Sequence, residues 1–261
     1  MINLKRIFKL LIITFIMTLL IDPVINFASY LHVDDINIRY PQKARNIESP
    51  VSQLVVNTIT KPNEAFIDVP LTNQLPELRN GCEITSLTML LNYNGITIDK
   101  NYLAKEVKMD STPLVLDLSG NILTWGDPND GFVGDMIGYN ADGYSIYPKA
   151  LLPLVNKYMN NAGKDLTGVT IDTLKNYLIH KKPILVWVTY DFSIPDNFIT
   201  WTKNGKIIKA TFDQHCILLT GYDESNFYYN DPMDSEKNLA IDIETFEEVW
   251  NSMGNLALSY D

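Results

Sequence analysis

With 2 cysteines and 3 histidines in 261 residues, the chain has few ways to pair a thiol nucleophile with a base. Cys82 stands in "NGCEITSLTMLLNYNG", residues 80–95, where an apolar helical period begins. Exposed amide donors and aligned peptide dipoles at a helix amino end favour the thiolate, the form of cysteine that attacks a carbonyl carbon. Gly81 before it has no side chain and leaves room for a substrate to approach the sulfur. His32 lies beside an N-terminal apolar segment, and His180 falls at a predicted helix end where a surface role suffices. His215 opens the run "HCILLTGY" and would be held on rigid strand backbone, as proton transfer of fixed geometry demands. Asp231, in "FYYNDP", ends the next strand; a turn around 223–226 folds the two strands back and brings it within a few residues of His215. A carboxylate there would orient the imidazole and stabilise its charged form. Taken alone, Asp231 before Pro232 reads as an ordinary turn residue.

The elements that must position these groups follow from the pattern of apolar residues. Ile84, Leu87, Leu90 and Leu91 recur at spacings of three and four and mark the buried face of a helix that Asn94-Gly95 stops. A second helix is predicted after Asp99, with Leu103 and Val107 inward. Residues 111–143 are dense in Gly, Asp, Asn and Pro and carry no regular structure in this reading; a loop of that length could wall a substrate groove. Helix returns at Pro148, with Pro153 as a kink point, and again over 172–180. From there the period shortens. "ILVWVTY" suits a central strand, Asn204-Gly205 is a tight hairpin turn, and "CILLTGY", "NFYYN" and "LAIDI" continue the sheet before a helix over 244–253 and a last strand, "LALSY". Helices first and strands later predict an α+β fold with a mostly antiparallel sheet.

The first residues are of another kind. Lys5, Arg6 and Lys9 precede an uncharged run from Leu10 to Ile21 that ends at Asp22-Pro23, so residues 1–28 read as a signal peptide or N-terminal membrane anchor, and 29–63 as a linker or extended arm leading to a domain over 64–261. The expected location is extracytoplasmic, secreted or anchored by that segment. Export makes a Cys82–Cys216 disulfide the plain alternative to catalysis. Neighbours on a strand point to opposite faces, so if His215 faces Cys82 then Cys216 faces away, and the two readings exclude each other.

A formal charge of −10 argues against nucleic acid and against an anionic lipid surface as partner. Asp127, Asp130 and Asp135 lack the ligand spacing of a helix-loop-helix calcium site and read as solvated loop. Trp125, Phe132, Tyr139, Tyr144 and Tyr147 read as packing residues.

In combination, "NQLPELRNGCEITSLTMLLNYNG", "DGFVGDMIGY", "HCILLTGYD" and "YYNDP" resemble the exported bacterial cysteine peptidase-like proteins related to the double-glycine leader peptidases of bacteriocin transporters, in the papain-like superfamily. The resemblance spans roughly residues 64–250 and implies a papain-like domain, with Cys82 at the amino end of a helix packed on a sheet that carries His215 and Asp231. It implies a nucleophile at Cys82, a general base at His215, an orienting acid at Asp231 and an oxyanion donor at Gln74, with no metal or cofactor. Unlike the transporter-fused peptidases, the sequence shows no transmembrane bundle and no nucleotide-binding motif, so their leader-peptide substrate does not carry over. The expected partner is a peptide or protein, including cell-wall peptide. Acyl transfer, cell-wall peptide amidase activity and non-catalytic peptide binding at a surface are the alternatives that the same residues leave open.

Overall fold

In the computed structural model the described residues are 62–261; the expected targeting segment and nearly all of the expected arm lie outside them. In order along the chain the elements are β1 (Ala65–Phe66), α1 (Cys82–Tyr93), α2 (Lys100–Ala104), β2 (Met109–Asp110), β3 (Val115–Leu116), β4 (Ile122–Thr124), β5 (Phe132–Val133), α3 (Pro148–Tyr158), β6 (Gly163–Asp165), α4 (Ile171–Ile179), β7 (Ile184–Thr189), β8 (Ile199–Lys203), β9 (Lys206–Ala210), β10 (Gln214–Tyr222), β11 (Asn226–Asn230), β12 (Leu239–Asp242), α5 (Ile243–Ser252) and β13 (Ala257–Tyr260).

The main sheet runs β12-β11-β10-β7-β13-β6, with β1 added on β10, and all of its pairings are antiparallel. The fold is α+β with a mostly antiparallel sheet. Every residue of β7 is buried, which explains why its sequence is a continuous β-branched and aromatic run rather than an alternation. Cover comes from α1 on β10 and β7, α4 on β10, and α5 on β7. Ile84, Leu87, Leu90 and Leu91 of α1 are fully buried, as the helical spacing requires.

Helix ends follow their side chains. The Asp99 carboxylate caps α2 by accepting from the N–H groups of Asn101 and Tyr102, and Asp242 caps α5 through Thr245. Helix α2 is only five residues long, so Val107, although buried, falls beyond it.

Three features differ from the sequence expectations. The 111–143 stretch contains β3, β4 and β5, short strands of two or three residues that periodicity over a longer window averages away. The Asn204-Gly205 turn joins β8 to β9 with φ of 49° and 78°, the left-handed pair that a two-residue hairpin needs, but this hairpin forms its own two-stranded sheet. Edge strand β6, "GKD", has no apolar alternation to reveal it and exists by pairing with β13.

Candidate active site

Strand β10 enters the sheet at Gln214 and sets His215, 4% exposed, opposite Val188 of β7. Pairing with β11 places Asn230 opposite Leu218, and the chain leaves the sheet at Asp231, close to His215 on the neighbouring strand. His215 Nε2 and Asp231 Oδ1 are 2.8 Å apart. A carboxylate can only accept, so Nε2–H donates to Asp231 and Nδ1 is left as the basic nitrogen. The same Oδ1 accepts the Met233 N–H at 2.7 Å. Asp231 is thus both the turn residue that its sequence context suggests and the partner of His215.

Cys82 is the first residue of α1, and Gly81 caps the helix without a side-chain hydrogen bond, so no capping side chain competes for the first amide donors. The role of Gly81 differs from the expectation. A Cβ there would lie 2.6 Å from Leu78 Cβ, so the glycine lets the 74–78 turn pack against the helix start rather than clearing a path for substrate. That turn carries Gln74, which is 3% exposed. Its Nε2 donates to Arg79 O at 2.8 Å, using one of two amide protons, and its backbone N–H donates to Pro232 O at 2.7 Å. Buried Lys100 donates to the carbonyls of Asn73 and Gln74 and pairs with Glu77 at 2.7 Å, fixing the turn from the other side.

Gln74, Cys82 and His215 line one cleft of about 200 Å³, together with Arg79, Asn80, Tyr190, Phe212, Gln214 and others. Both cysteines are free thiols; Cys216 is fully buried and, instead of facing away from the Cys82 helix, has Ser86 and Glu83 of α1 among its neighbours. The electrostatics of Cys82 run against the helix-end expectation: burial pushes its thiol well up, with the Glu83 carboxylate and Cys216 adding to the rise. Loss of solvation at an almost fully buried sulfur is the leading cause.

A wider cleft of about 640 Å³ adjoins the first through shared Arg79, Asn80, Gly143, Phe212 and Met233. Its wall includes Leu114, Leu116, Ile122 and Trp125 from the 111–143 stretch. Trp125 and Tyr144 belong to a second apolar cluster with Trp201, and Tyr144 meets Trp201 and Phe212 edge-on at 5.5 and 5.8 Å. Tyr139 departs from its expected packing role: it is 57% exposed, with Arg79 over its ring. The loop carboxylates face lysines, Asp127 pairing with Lys206 at 2.6 Å and Asp130 with Lys203 at 2.8 Å.

Two neighbours of the site escaped the sequence reading. Tyr190, just past β7, lies over the His215 ring at 5.3 Å between centroids, and no motif marks it. Glu83 is wholly buried, with Ser145 Oγ donating to it at 2.6 Å. Its spacing from Leu87 and Leu90 puts it on the buried face of α1, a signal that was there to be read.

The fold agrees with the comparisons to known proteins. The model of the Peptidase_C39 like family matches residues 66–258, and the chain belongs to that family. YvpB of Bacillus subtilis (strain 168) is 35% identical over 254 residues, covering 94% of this chain and 96% of that protein. A crystal structure from Bacillus anthracis, of a protein assigned to the C39-like peptidases, superposes with a TM-score of 0.69 at 36% identity and covers 76% of this chain and 97% of that one.

Proposed function

We propose that the protein is an exported thiol peptidase that hydrolyses peptide bonds through an acyl thioester on Cys82. One observation carries the reading: a helix-start thiol, a histidine with its Nδ1 uncommitted and a buried carboxamide line one cleft, while a carboxylate holds the far nitrogen of the histidine. Family membership supports the reaction class.

The steps follow from these groups. His215 Nδ1 takes the Cys82 proton and the sulfur attacks the peptide carbonyl carbon. The resulting oxyanion accepts hydrogen bonds from the Cys82 N–H and the second Nε2 proton of Gln74, a contribution of about 3 kcal/mol for one such donor. The C–N bond breaks as the imidazolium protonates the leaving amine, and the acyl group remains on sulfur. Water, deprotonated by His215, attacks the thioester, and collapse releases a carboxylate and restores the thiol. Asp231 keeps the imidazole in the required tautomer and stabilises its cation. The adjoining cleft offers an apolar wall for substrate side chains. The basic and apolar N-terminal run of the sequence supports a site of action outside the cytoplasm.

A mixed peptide library incubated with purified protein and analysed by mass spectrometry tests the proposal. Cleavage products that vanish with Cys82→Ala and with His215→Ala are expected. Products that persist in either variant, or none with the wild type at any pH from 5 to about 9, a range that brackets the ordinary His and Cys values, would count against it.

A further inference from the structure

Glu83 follows the nucleophile and has no part in the thioester route, yet its side chain is fully shielded from solvent. A buried carboxylate without a cation is costly, and none of the ion pairs among the described residues includes it. Three donors from two parts of the chain hold it instead. Oε1 accepts from Ser145 Oγ at 2.6 Å and from the Ile146 N–H at 3.3 Å, and Oε2 accepts from Cys82 Sγ at 3.4 Å. Burial raises the Glu83 carboxyl above its usual range, and the hydrogen bonds from Ser145, Cys82 and the Ile146 N–H, together with its place in the first turn of α1, oppose that rise and favour the charged form.

The titratable groups around it are the Cys82 thiol on α1, the Cys216 thiol on β10, and the Tyr144 and Tyr147 phenols of the segment entering α3. None is a cation. His215, on β10, lines the same cleft as Cys82 and is engaged with Asp231.

We propose that Glu83 is a positioning residue that holds the proton of Cys82 in the free protein, so that the nucleophile rests as a neutral thiol hydrogen-bonded to the carboxylate and no Cys82–His215 ion pair is preformed. The inference rests on Cys82 being the nucleophile of the reading above. No atom is gained or lost at Glu83: when attack begins, the proton it has been accepting in a hydrogen bond leaves sulfur for His215 Nδ1, and the carboxylate keeps its bonds to Ser145 and Ile146. The direction of the Cys82 shift agrees, with burial first and the Glu83 charge next among its causes. Because Ser145 and Ile146 follow cleft residues Gly143 and Tyr144, the same carboxylate ties the cleft wall to the nucleophile.

The test is the pH dependence of Cys82 alkylation by iodoacetamide, read by peptide mapping, in wild type and Glu83→Gln. Glutamine keeps an acceptor for Ser145 and Ile146 and removes the charge. The wild-type midpoint is expected above the free-thiol value of about 8.5. In Glu83→Gln it falls by one unit or more, which is about tenfold faster labelling at a fixed pH below both midpoints. Equal midpoints, or a wild-type midpoint well below that of a free thiol, would overturn the inference. A merely structural Glu83 would lower thermal stability and leave the midpoint in place. Should Glu83→Gln not fold, infrared spectroscopy of Cys216→Ala decides: an S–H stretching band from Cys82 at neutral pH is expected, lowered in frequency by its hydrogen bond, and its absence rejects the resting thiol. Neither readout needs peptide cleavage, so each holds whatever the protein cleaves.

Discussion

Around β7 and β10 the chain is held by continuous apolar burial: every residue of β7 is shielded, and Trp187 and Cys216 have no exposed surface. The region of β3, β4, β8 and β9 is built differently. Its own core is a small cluster of Trp125, Val133, Tyr144, Trp201, Ile208 and Ala210, and it is tied down by Lys203 to Asp110 and Asp130 and by Lys206 to Asp127. Val115, Leu116, Leu118 and Leu123 remain exposed there. The first region holds His215 and Cys82 on rigid elements, where, under the proposed mechanism, small displacements would cost much of the rate. The second shapes the wider cleft from short strands and charges, so its sequence can vary without moving Cys82 or His215.

Removing a reacting group should have the largest effect. Cys82→Ala or His215→Ala is expected to lower kcat by about 10⁶-fold, as loss of a nucleophile or its base does, measured by kinetics on protein that calorimetry shows to be folded. Under the proposed mechanism Gln74→Ala should cost about 10²- to 10³-fold in kcat and leave KM nearly constant, because its second amide proton would bind only the oxyanion.

Among stability effects, Trp187→Ala in the sheet core should cost about 3–5 kcal/mol by denaturant unfolding. Lys203→Met probes the other region, since it strands an Asp110 side chain that is only 5% exposed. We expect a loss of about 3 kcal/mol, with a rise in KM as the cleft wall loosens. Burial opposes ionisation of Asp110, but Lys203, the Thr112 hydroxyl and the amides of Asp127 and Thr112 outweigh it and hold the carboxyl well below its usual range. A depressed native value means stability that is present above the unfolded value of about pH 4 and is lost as the pH falls through the native one. Lys203→Met should therefore flatten the acid limb of the stability profile. Smallest is the Asp242→Ala cap loss at α5, about 1 kcal/mol with kinetics unmoved.

How much of this was legible in the sequence also divides by region. The helices and the long strands of the main sheet could be read because their periods run over many residues, as in α1 and β10. The spacing of Asp231 after a hairpin from His215 was readable for the same reason, since antiparallel pairing converts sequence distance to neighbourhood. Gln74 had no such local signal. Its burial depends on Pro232 and Lys100, contacts that no window around it contains. Likewise β3 and β4 owe their position to Thr202, through the Thr124 hydroxyl, and to the cluster around Trp201. The helix-end argument for a low thiol value counted the dipole and left out burial, which only the assembled core reveals.

Intact-mass spectrometry of the protein mixed with an activated peptide ester and quenched in acid tests the central claim most directly. Hydrolysis through Cys82 predicts a transient acyl adduct mapped to that residue, lengthened in lifetime or absent with His215→Ala, with Cys216 unmodified. No adduct while the ester is turned over, or an adduct on another residue, would contradict the account.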